Sequence, residues 1–415
     1  MLFLTLSYPL YGRTLYLSTS GDDSAAEGHG VEFRTLKRAV SCLEPGDTLI
    51  VKNGTYEGGV KIQIAATAEA PVLIRGKSLG AVISGSGSEI DAIRVQDASH
   101  VIIDRLTVRE ATRAGISIRF SNHIRITRCL CTDNSTWGIF TSFADDIHFE
   151  RNECCRSKEQ HGIYHSKSGD RFVIRGNLVH DNRMNGIHIN SNTVIPGALI
   201  HWGIVEKNII YGNGKGGGGS INMAHVQDVL VHNNLIYNNY ANSITVYQDT
   251  GTFEQGSKRV LIMGNTIYFQ PGTGRSGINI QTTSEKVVLA GNIFITGGSR
   301  GNLQVESDHL KTIVSDYNIL WGMDSDRVVE RKDRWVSLSA WRTLSGNDLH
   351  TRLVDPLFAN IDSADFTLDP SSPALDAGMP MDTVRAILER LGDFEWIMDR
   401  LASLPDESIC GWRNP

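Results

Sequence analysis

Hydrophobic and polar residues alternate in short runs along most of this 415-residue chain, and glycine or asparagine interrupts the alternation every few residues. Period-two alternation is the pattern of a β-strand with one buried face, and recurrent Gly and Asn mark tight turns. The pattern between residues 61 and 320 contains no helical stretch. It therefore predicts many short strands joined by turns.

Two short phrases repeat along the chain at a shared interval. The first is a small residue followed by an apolar one, and it begins at Gly115, Gly138, Gly162, Gly186, Ser220, Ser243, Gly277 and Asn302, in steps of 23, 24, 24, 34, 23, 34 and 25 residues. The second ends in asparagine, at Asn152, Asn177, Asn208, Asn234, Asn265, Asn292 and Asn318. Coils of this size that stack on themselves form an all-β, single-stranded, right-handed parallel β-helix, a solenoid. The recurrent asparagines are expected to form a hydrogen-bonded ladder between coils.

The pattern divides the chain into three parts. Residues 1–60 are expected to form an N-terminal strand and a short capping helix over 33–43, because solenoid ends expose strand edges. Residues 61–320 form the parallel β-helix, and residues 321–415 form a tail with an amphipathic helix over 381–403. The two 34-residue steps contain insertions at 193–202 and 249–258, which are expected to be loops on the binding face.

The alternation also predicts which side chains point out of the solenoid. The residue after Gly faces the core, so the next residue and the one two positions later face outward. The first outward column is Ser117, Phe140, Tyr164, His188, Asn222, Thr245, Asn279 and Gln304, and the second is Arg119, Ser142, Ser166, Asn190, Ala224, Tyr247, Gln281 and Glu306. His165 falls at an inward position and is expected to be a core histidine.

The outward columns carry Tyr, His and amide residues where a merely solvated sheet would carry Lys, Glu and Thr. Tyr164 and His188 should lie on adjacent coils, where an imidazole beside a phenol can take and give a proton. We assign His188, Tyr164 and Lys167 to catalysis, with Lys167 as base or as countercharge to a sugar carboxylate. The expected substrate-binding residues are His161, Ser166, Asn190, Asn222, His225, Tyr247, Gln248 and Asn279.

Charge and composition exclude several classes of function. A net charge of −6 gives no basic footprint for nucleic acid, and no run reaches the length of a membrane span. An acidic chain must hold an anionic substrate through a local cluster of cations.

Asp146 and Asp170 occupy equivalent turns and are candidate ligands for Ca²⁺, with separate solvation as the alternative. Cys131 and Cys155, 24 residues apart, are expected to stack in successive coils, with a disulfide or metal site as the alternative.

Three segments carry a resemblance to a known family. The opening "FRTLKRAV…EPGDTLIVKNGTYEGGV", the coils "HGIYHSKSGDRFVIRGNLVHDNRMNGIHINSN" and the tail "DPLFANIDSADFTLDPSSPALDAG" resemble bacterial right-handed parallel β-helix repeat proteins related to pectate and other polysaccharide lyases, in particular family nine. The resemblance covers roughly residues 14 to 378. It implies a secreted or periplasmic protein that cleaves an acidic, uronate-containing polysaccharide by β-elimination, in some relatives with calcium.

Two other functions remain open at this stage. A glycoside hydrolase usually needs two carboxylates about 5–10 Å apart, and the outward columns from 115 to 282 offer none. The missing carboxylates place a hydrolase behind a lyase. A hydrolase or epimerase acting in the same groove is the first alternative, and a non-catalytic carbohydrate-binding surface protein is the second. We expect the protein to be a monomer.

Overall fold

The computed structural model describes residues 12–86, 90–191, 195, 198–281, 283–322, 327–404 and 410–411. The apolar segment 1–11 lies outside these residues, as do residues 193–194 and 196–197 of the insertion at 193–202. The chain divides into two compact units, residues 1–158 and residues 159–415. Each unit is built from coils of a right-handed parallel β-helix, so the predicted fold class is confirmed. No helix in the described ranges is both long and apolar enough to cross a membrane.

Unit 1 contains one helix and fourteen strands among its described residues. The helix α1 is Leu36–Ser41. The strands are β1 Thr14–Leu17, β2 Glu32–Phe33, β3 Thr48–Val51, β4 Gly54–Glu57, β5 Val60–Ile62, β6 Val72–Gly76, β7 Ala81–Ser84, β8 Ile93–Gln96, β9 Val101–Asp104, β10 Thr107–Arg109, β11 Ala114–Thr127, β12 Leu130–Thr132, β13 Trp137–Glu150 and β14 Glu153–Cys155.

Unit 2 contains the remaining strands, β15 to β37, and three further α-helices within the part of the chain that the structure describes. Its strands are β15 Ile163–Lys167, β16 Val173–Arg175, β17 Leu178–His180, β18 Ile187–Ser191, β19 Ile200–Glu206, β20 Ile209–Tyr211, β21 Gly219–Ala224, β22 Val226–His232, β23 Leu235–Tyr237, β24 Asn242–Tyr247, β25 Lys258–Met263, β26 Thr266–Tyr268, β27 Ile278–Ile280, β28 Glu285–Ala290, β29 Ile293–Ile295, β30 Leu303–Val305, β31 Val314–Asp316, β32 Ile319–Trp321, β33 Val329–Arg331, β34 Arg334–Val336, β35 Arg352–Leu353, β36 Phe358–Asn360 and β37 Asp365–Leu368. Its helices are α2 Leu338–Ser345, α3 Met381–Leu391 and α4 Glu395–Leu401.

Each coil contributes one strand to each of three parallel sheets, which we call faces 1, 2 and 3 in chain order. In unit 2, face 1 contains β15, β18, β21, β24, β27, β30 and β33. Face 2 contains β16, β19, β22, β25, β28 and β31. Face 3 contains β17, β20, β23, β26, β29, β32 and β35. In unit 1 the long strands β11 and β13 each bend and serve faces 1 and 2 in turn.

The repeated asparagines form the predicted ladder. Along Asn177, Asn208, Asn234, Asn265, Asn292 and Asn318, each backbone N–H and each side-chain Nδ2 donates to Oδ1 of the next residue, at 2.9–3.1 Å. These side chains are nearly fully buried. The ladder therefore satisfies polar groups inside the solenoid that would otherwise be left unpaired.

A second asparagine ladder explains the repeated glycine. Asn182 donates to Oδ1 of Asn213, which donates in turn to Oδ1 of Asn239. A Cβ atom at Gly162 would lie 2.7 Å from Nδ2 of Asn182 and 2.6 Å from Cγ1 of Val179. Close packing against this ladder, and not an unusual backbone angle, is the reason that glycine recurs before the face 1 strands.

The terminal helices differ from their predicted extents. The capping helix predicted over 33–43 is limited to α1, whose N-cap Thr35 accepts the N–H of Arg38. The single helix predicted over 381–403 is wrong, because Gly392 breaks it into α3 and α4. Helix α2 was not predicted. The apolar sides of α3 and α4 cover the outer side of face 2 at Leu230, Leu261, Met263, Val288 and Ala290.

The predicted stacking of Cys131 and Cys155 is off by one residue. Cys131 pairs with Cys154, and Cys155 pairs with Thr132, because this coil repeats after 23 residues and not 24. All six cysteines are buried thiols that form no disulfide. The disulfide alternative is therefore wrong.

Candidate functional site

The strands of face 1 in unit 2 place the predicted columns in register. Tyr164 pairs with His188, and Ser166 with Asn190, on strands β15 and β18. The first column continues through Asn222, Thr245, Asn279 and Gln304. His165 is fully buried, contacts the Gly169 carbonyl through Nε2 at 2.8 Å and packs on Phe172, as expected for a core histidine.

The first column is far less exposed than the sequence suggested. His188 keeps 9% of its surface, Asn222 8%, Thr245 4% and Asn279 1%. Tyr164 is half-buried. In a parallel stack each outward side chain has an equivalent one ~4.8 Å away on either side, and these neighbours cover it. The column is therefore a largely buried row of polar groups and not the exposed ladder that its outward positions suggest.

Three aromatic rings meet at the start of this row. The Tyr164 and His188 ring centroids are 4.8 Å apart with planes at 68°, and those of His161 and His188 are 4.7 Å apart. His161 and Tyr164 are in edge contact at 5.2 Å. The structure thus brings together two residues assigned to catalysis and one assigned to binding.

Asn185 sets the protonation of both histidines, and the sequence reasoning missed it. Its backbone N–H donates to Nδ1 of His161 at 3.2 Å. Its Oδ1 accepts the N–H of Gly219, which orients the amide so that Nδ2 faces Nδ1 of His188 at 2.5 Å. Because Nδ1 accepts in each ring, each neutral imidazole carries its proton on Nε2. The only sequence signal was its position directly before the repeated Gly186.

The Nε2 atom of His188 is buried and has no hydrogen-bond partner among the residues that the structure describes. Burial lowers the pKa of His188 to about 4, so the ring is neutral at neutral pH. Burial and the neighbouring His188 hold the pKa of His161 well below its usual range. An unsatisfied N–H inside a protein is costly, which points to a ligand acceptor at this position.

Burial and, to a lesser extent, the charge of Asp249 raise the pKa of Tyr164, although Ser166 opposes the shift. Burial raises the pKa of Tyr247 to about 12. Both phenols are therefore protonated at neutral pH and can donate a hydrogen bond or a proton. Tyr247 also accepts a hydrogen bond from Nδ2 of Asn222 at 3.3 Å.

The remaining predicted residues on β15 and β18 follow Tyr164 and His188 along the same two strands. Lys167 ends β15 with a positive φ of 71°, and its carbonyl accepts from Oγ of Ser191 at 2.7 Å. Ser166 is buried. Oδ1 of Asn190 is a buried acceptor without a partner in the described part of the chain, as is Oδ1 of Asn279 further along the row. Buried donors and acceptors of this kind suit a hydroxylated ligand.

His225 and Gln248 hold the second insertion in place. Nδ1 of His225 donates to the Gln255 carbonyl at 2.8 Å, and Nε2 accepts the N–H of Asp249 at 3.1 Å. Nε2 of Gln248 donates to the carbonyls of Thr250 and Thr252. Both ring nitrogens of His225 are thus engaged by the backbone, which makes it an anchor for the loop.

The two aspartates assigned to calcium each have a histidine neighbour. Oδ2 of Asp146 is 3.8 Å from Nε2 of His123 in unit 1. In unit 2, Oδ1 of Asp170 accepts the N–H of His201 at 2.8 Å and lies 3.2 Å from its Nδ1. Calcium takes six to eight oxygen ligands. The assignment of Asp146 and Asp170 to calcium therefore stays a prediction.

The sequence reasoning also missed a group of arginines on face 1 of unit 1 and in the turn before it. Arg94 and Arg113 both bind the buried Asp91. The period placed Arg119 in the second outward column, but its neighbours belong to other strands and turns. Only the fold brings these charges together.

Comparisons with known proteins agree with this architecture. A family model described as a right-handed beta helix region matches residues 80–219. The uncharacterized protein YwoF of Bacillus subtilis strain 168 is 26% identical over 443 residues, covering 88% of this chain and 92% of its own. Among solved structures, pectate lyase Pel9A has a TM-score of 0.62 at 13% identity, covering 89% of this chain and 92% of its own. A rhamnogalacturonan lyase has a TM-score of 0.53 at 11% identity, covering 88% and 94%.

Proposed function

We propose that this protein is a carbohydrate-active enzyme that binds an acidic, uronate-containing polysaccharide and cleaves it by β-elimination at the His161–Tyr164–His188 cluster. The observation that carries the proposal is the buried Nε2–H of His188, which has no partner among the described residues and lies beside a protonated phenol. The similarity in fold to a pectate lyase and a rhamnogalacturonan lyase supports the substrate class.

The elimination breaks the C5–H bond and the C4–O4 bond of a uronate and forms a C4–C5 double bond. Negative charge develops on the carboxylate side of C5, where the Nε2–H of His188 can donate to it without any reorganisation. Tyr164 gives its proton to the leaving O4, because its raised pKa keeps the phenol protonated. Lys167, at the end of the same strand, is the proposed base, and its amine takes the C5 proton.

This assignment changes the role first expected for His188. A neutral ring with its proton on Nε2 offers a hydrogen-bond donor at its unpaired nitrogen. His188 is therefore proposed to stabilise the developing charge, and it does not act as the base. His161, Asn190, Asn222, Tyr247 and Asn279 are proposed to bind the sugar hydroxyls, while Ser166, His225 and Gln248 support the site. No step requires calcium. A polysaccharide substrate also favours a location outside the cytoplasm.

The test is the appearance of an unsaturated uronate. The protein is incubated with pectic, alginate and glycosaminoglycan substrates, and the ultraviolet absorbance of the new double bond is followed. Tyr164→Phe keeps the ring contacts and removes only the hydroxyl group that carries the proton, so we expect a loss of at least ~100-fold in kcat with little change in KM. His188→Gln should also lose most of its activity. Arg151→Gln, an exposed site in unit 1, is the control.

Other outcomes select the alternatives. Reducing ends without unsaturated product would indicate hydrolysis, and Asp170→Asn with Asp249→Asn should then abolish it. A change of uronate configuration without chain cleavage would indicate an epimerase. Intact ligand retained after long incubation would indicate a binding protein. Activity unaffected by Tyr164→Phe and His188→Gln would contradict the proposed site.

A further inference from the structure

Unit 1 contains a concentration of positive charge that the proposed reaction does not use. Arg94 and Arg119 project from face 1 strands β8 and β11, and Arg113 lies in the turn before β11. Lys61 on β5 pairs with Arg94 and is exposed. Such a cluster needs an explanation in a chain whose net charge is −6, because mutual repulsion destabilises it.

A single buried carboxylate organises this cluster. Asp91 is fully buried and accepts from Nε of Arg113 at 2.8 Å, from Nε of Arg94 at 3.1 Å and from Oγ of Ser117 at 2.8 Å. Burial opposes its ionisation, but the bonds from Arg113 and Ser117 outweigh this and lower the pKa of Asp91. The carboxylate therefore stays charged and holds two guanidinium planes in place, while their side chains remain 21% and 23% exposed.

Arg119 completes the cluster and is the least satisfied of its members. Its Nε atom is buried and has no hydrogen-bond partner within the described ranges. Its guanidinium lies 5.4 Å from the centre of the Phe140 ring. The cluster thus contains two arginines that bind Asp91 and a third, Arg119, with one buried donor that has no acceptor among the described residues. An external oxyanion would supply the hydrogen-bond acceptor that the Nε–H of this guanidinium lacks.

Aromatic rings adjoin the arginines. Phe120, next to Arg119 in the chain, is 57% exposed and stacks on Phe143 with ring centroids 5.2 Å apart and planes at 5°. Trp137 stacks on Phe140 at 4.4 Å. An exposed flat ring beside a charge cluster suits a ligand with both an apolar face and an anionic group, which describes an acidic sugar better than a free inorganic ion.

We propose that the Arg94–Arg113–Arg119 cluster of unit 1 is a binding site for an oxyanion carried by a sugar, either a uronate carboxylate or a sulfate ester. The site accounts for how an acidic protein holds an acidic glycan. It is separate from the ring chemistry of unit 2 and stands whether or not that chemistry is an elimination.

Titration calorimetry on the full chain tests the site with three oligosaccharides of related sugars: neutral galactan, oligogalacturonate and carrageenan oligosaccharide. We expect at least one of the two anionic ligands to bind more tightly than galactan and to weaken with salt. Binding of oligogalacturonate would identify the oxyanion as a carboxylate, and binding of carrageenan oligosaccharide would identify it as a sulfate ester. Arg119→Gln should weaken that binding about tenfold, because one charge-assisted bond is lost.

Arg151→Gln removes the same charge from an exposed position of unit 1 and should leave binding unchanged. Tyr164→Phe should abolish turnover while the affinity conferred by the arginines persists, so that failure of the site and failure of the proposed reaction can be told apart. Equal losses of affinity in Arg119→Gln and Arg151→Gln would indicate general electrostatic attraction and overturn the proposal. The absence of any preference for an anionic ligand over galactan would also overturn it.

Discussion

Nδ2 of Asn185 lies 2.5 Å from Nδ1 of His188, three residues along the chain, while Oδ1 of the same amide accepts the N–H of Gly219. The backbone thus fixes the direction of the amide, and the amide fixes the tautomer of the imidazole. The chemistry available at the ring cluster follows from this one contact, because it decides which histidine nitrogen carries a proton.

The tautomers can be observed directly. At pH 7, nitrogen NMR of the ¹⁵N-histidine-labelled protein should show His188 as a neutral ring protonated on Nε2. His225 is the internal control, because it donates through Nδ1 to Gln255 and should show the opposite tautomer. Asn185→Asp should reverse the His188 tautomer, since a carboxylate accepts from Nδ1. A His188 signal that matches His225 in the unmodified protein would contradict the assigned geometry.

The low pKa of His188 makes stability depend on pH. Its value falls from the ordinary 6.5 to about 4 in the folded protein, so the unfolded chain binds the proton first as the pH decreases. Stability is therefore lost as the pH falls from about 6.5 to about 4, by up to about 3 kcal/mol from this group. Urea unfolding of the native protein and His188→Gln across this range should show a shallower pH dependence in the variant. Parallel curves of stability against pH for the two proteins would contradict the lowered pKa of His188.

Two asparagines should respond to substitution in opposite ways. Asn234→Ala removes the acceptor for the backbone N–H and Nδ2 of Asn208, so we expect a loss of about 2–4 kcal/mol in the free energy of unfolding. Asn190→Ala removes an acceptor that has no partner among the described residues, so stability should change little while oligosaccharide binding weakens. Denaturant unfolding combined with calorimetry measures both. Similar stability losses in the two variants would be inconsistent with a binding role for Asn190.

The repeated glycine should not tolerate a methyl group. Gly162→Ala places Cβ 2.6 Å from Val179 and 2.7 Å from Asn182, so overpacking should cost about 1–3 kcal/mol. Gly28→Ala is the matched control, since its Cβ would have only Val31 nearby, at 3.8 Å. Thermal unfolding of both variants provides the measurement. An equal effect at the two positions would mean that packing against the asparagine ladder is not the reason for the repeat.

The sequence by itself determined the fold and the neighbours along each column. In a parallel stack the side chain one coil away is the lateral neighbour, so the 24-residue step was sufficient to pair Tyr164 with His188. The recurring asparagine phrase predicted the ladder through Asn234, although its steps vary from 26 to 31 residues. The same rule failed by one residue at Cys155, because the coil length varies locally.

Only the tertiary structure decided the chemistry of these positions. The Nε2 proton of His188 depends on Asn185 and Gly219, the burial of the column depends on all the neighbours at once, and the arginine cluster depends on Asp91 in a preceding turn. Periodicity reports which face a residue occupies. It does not report the direction of an amide, the burial of a side chain or the pairing of charges between coils, because these depend on side-chain conformation and on the surrounding packing.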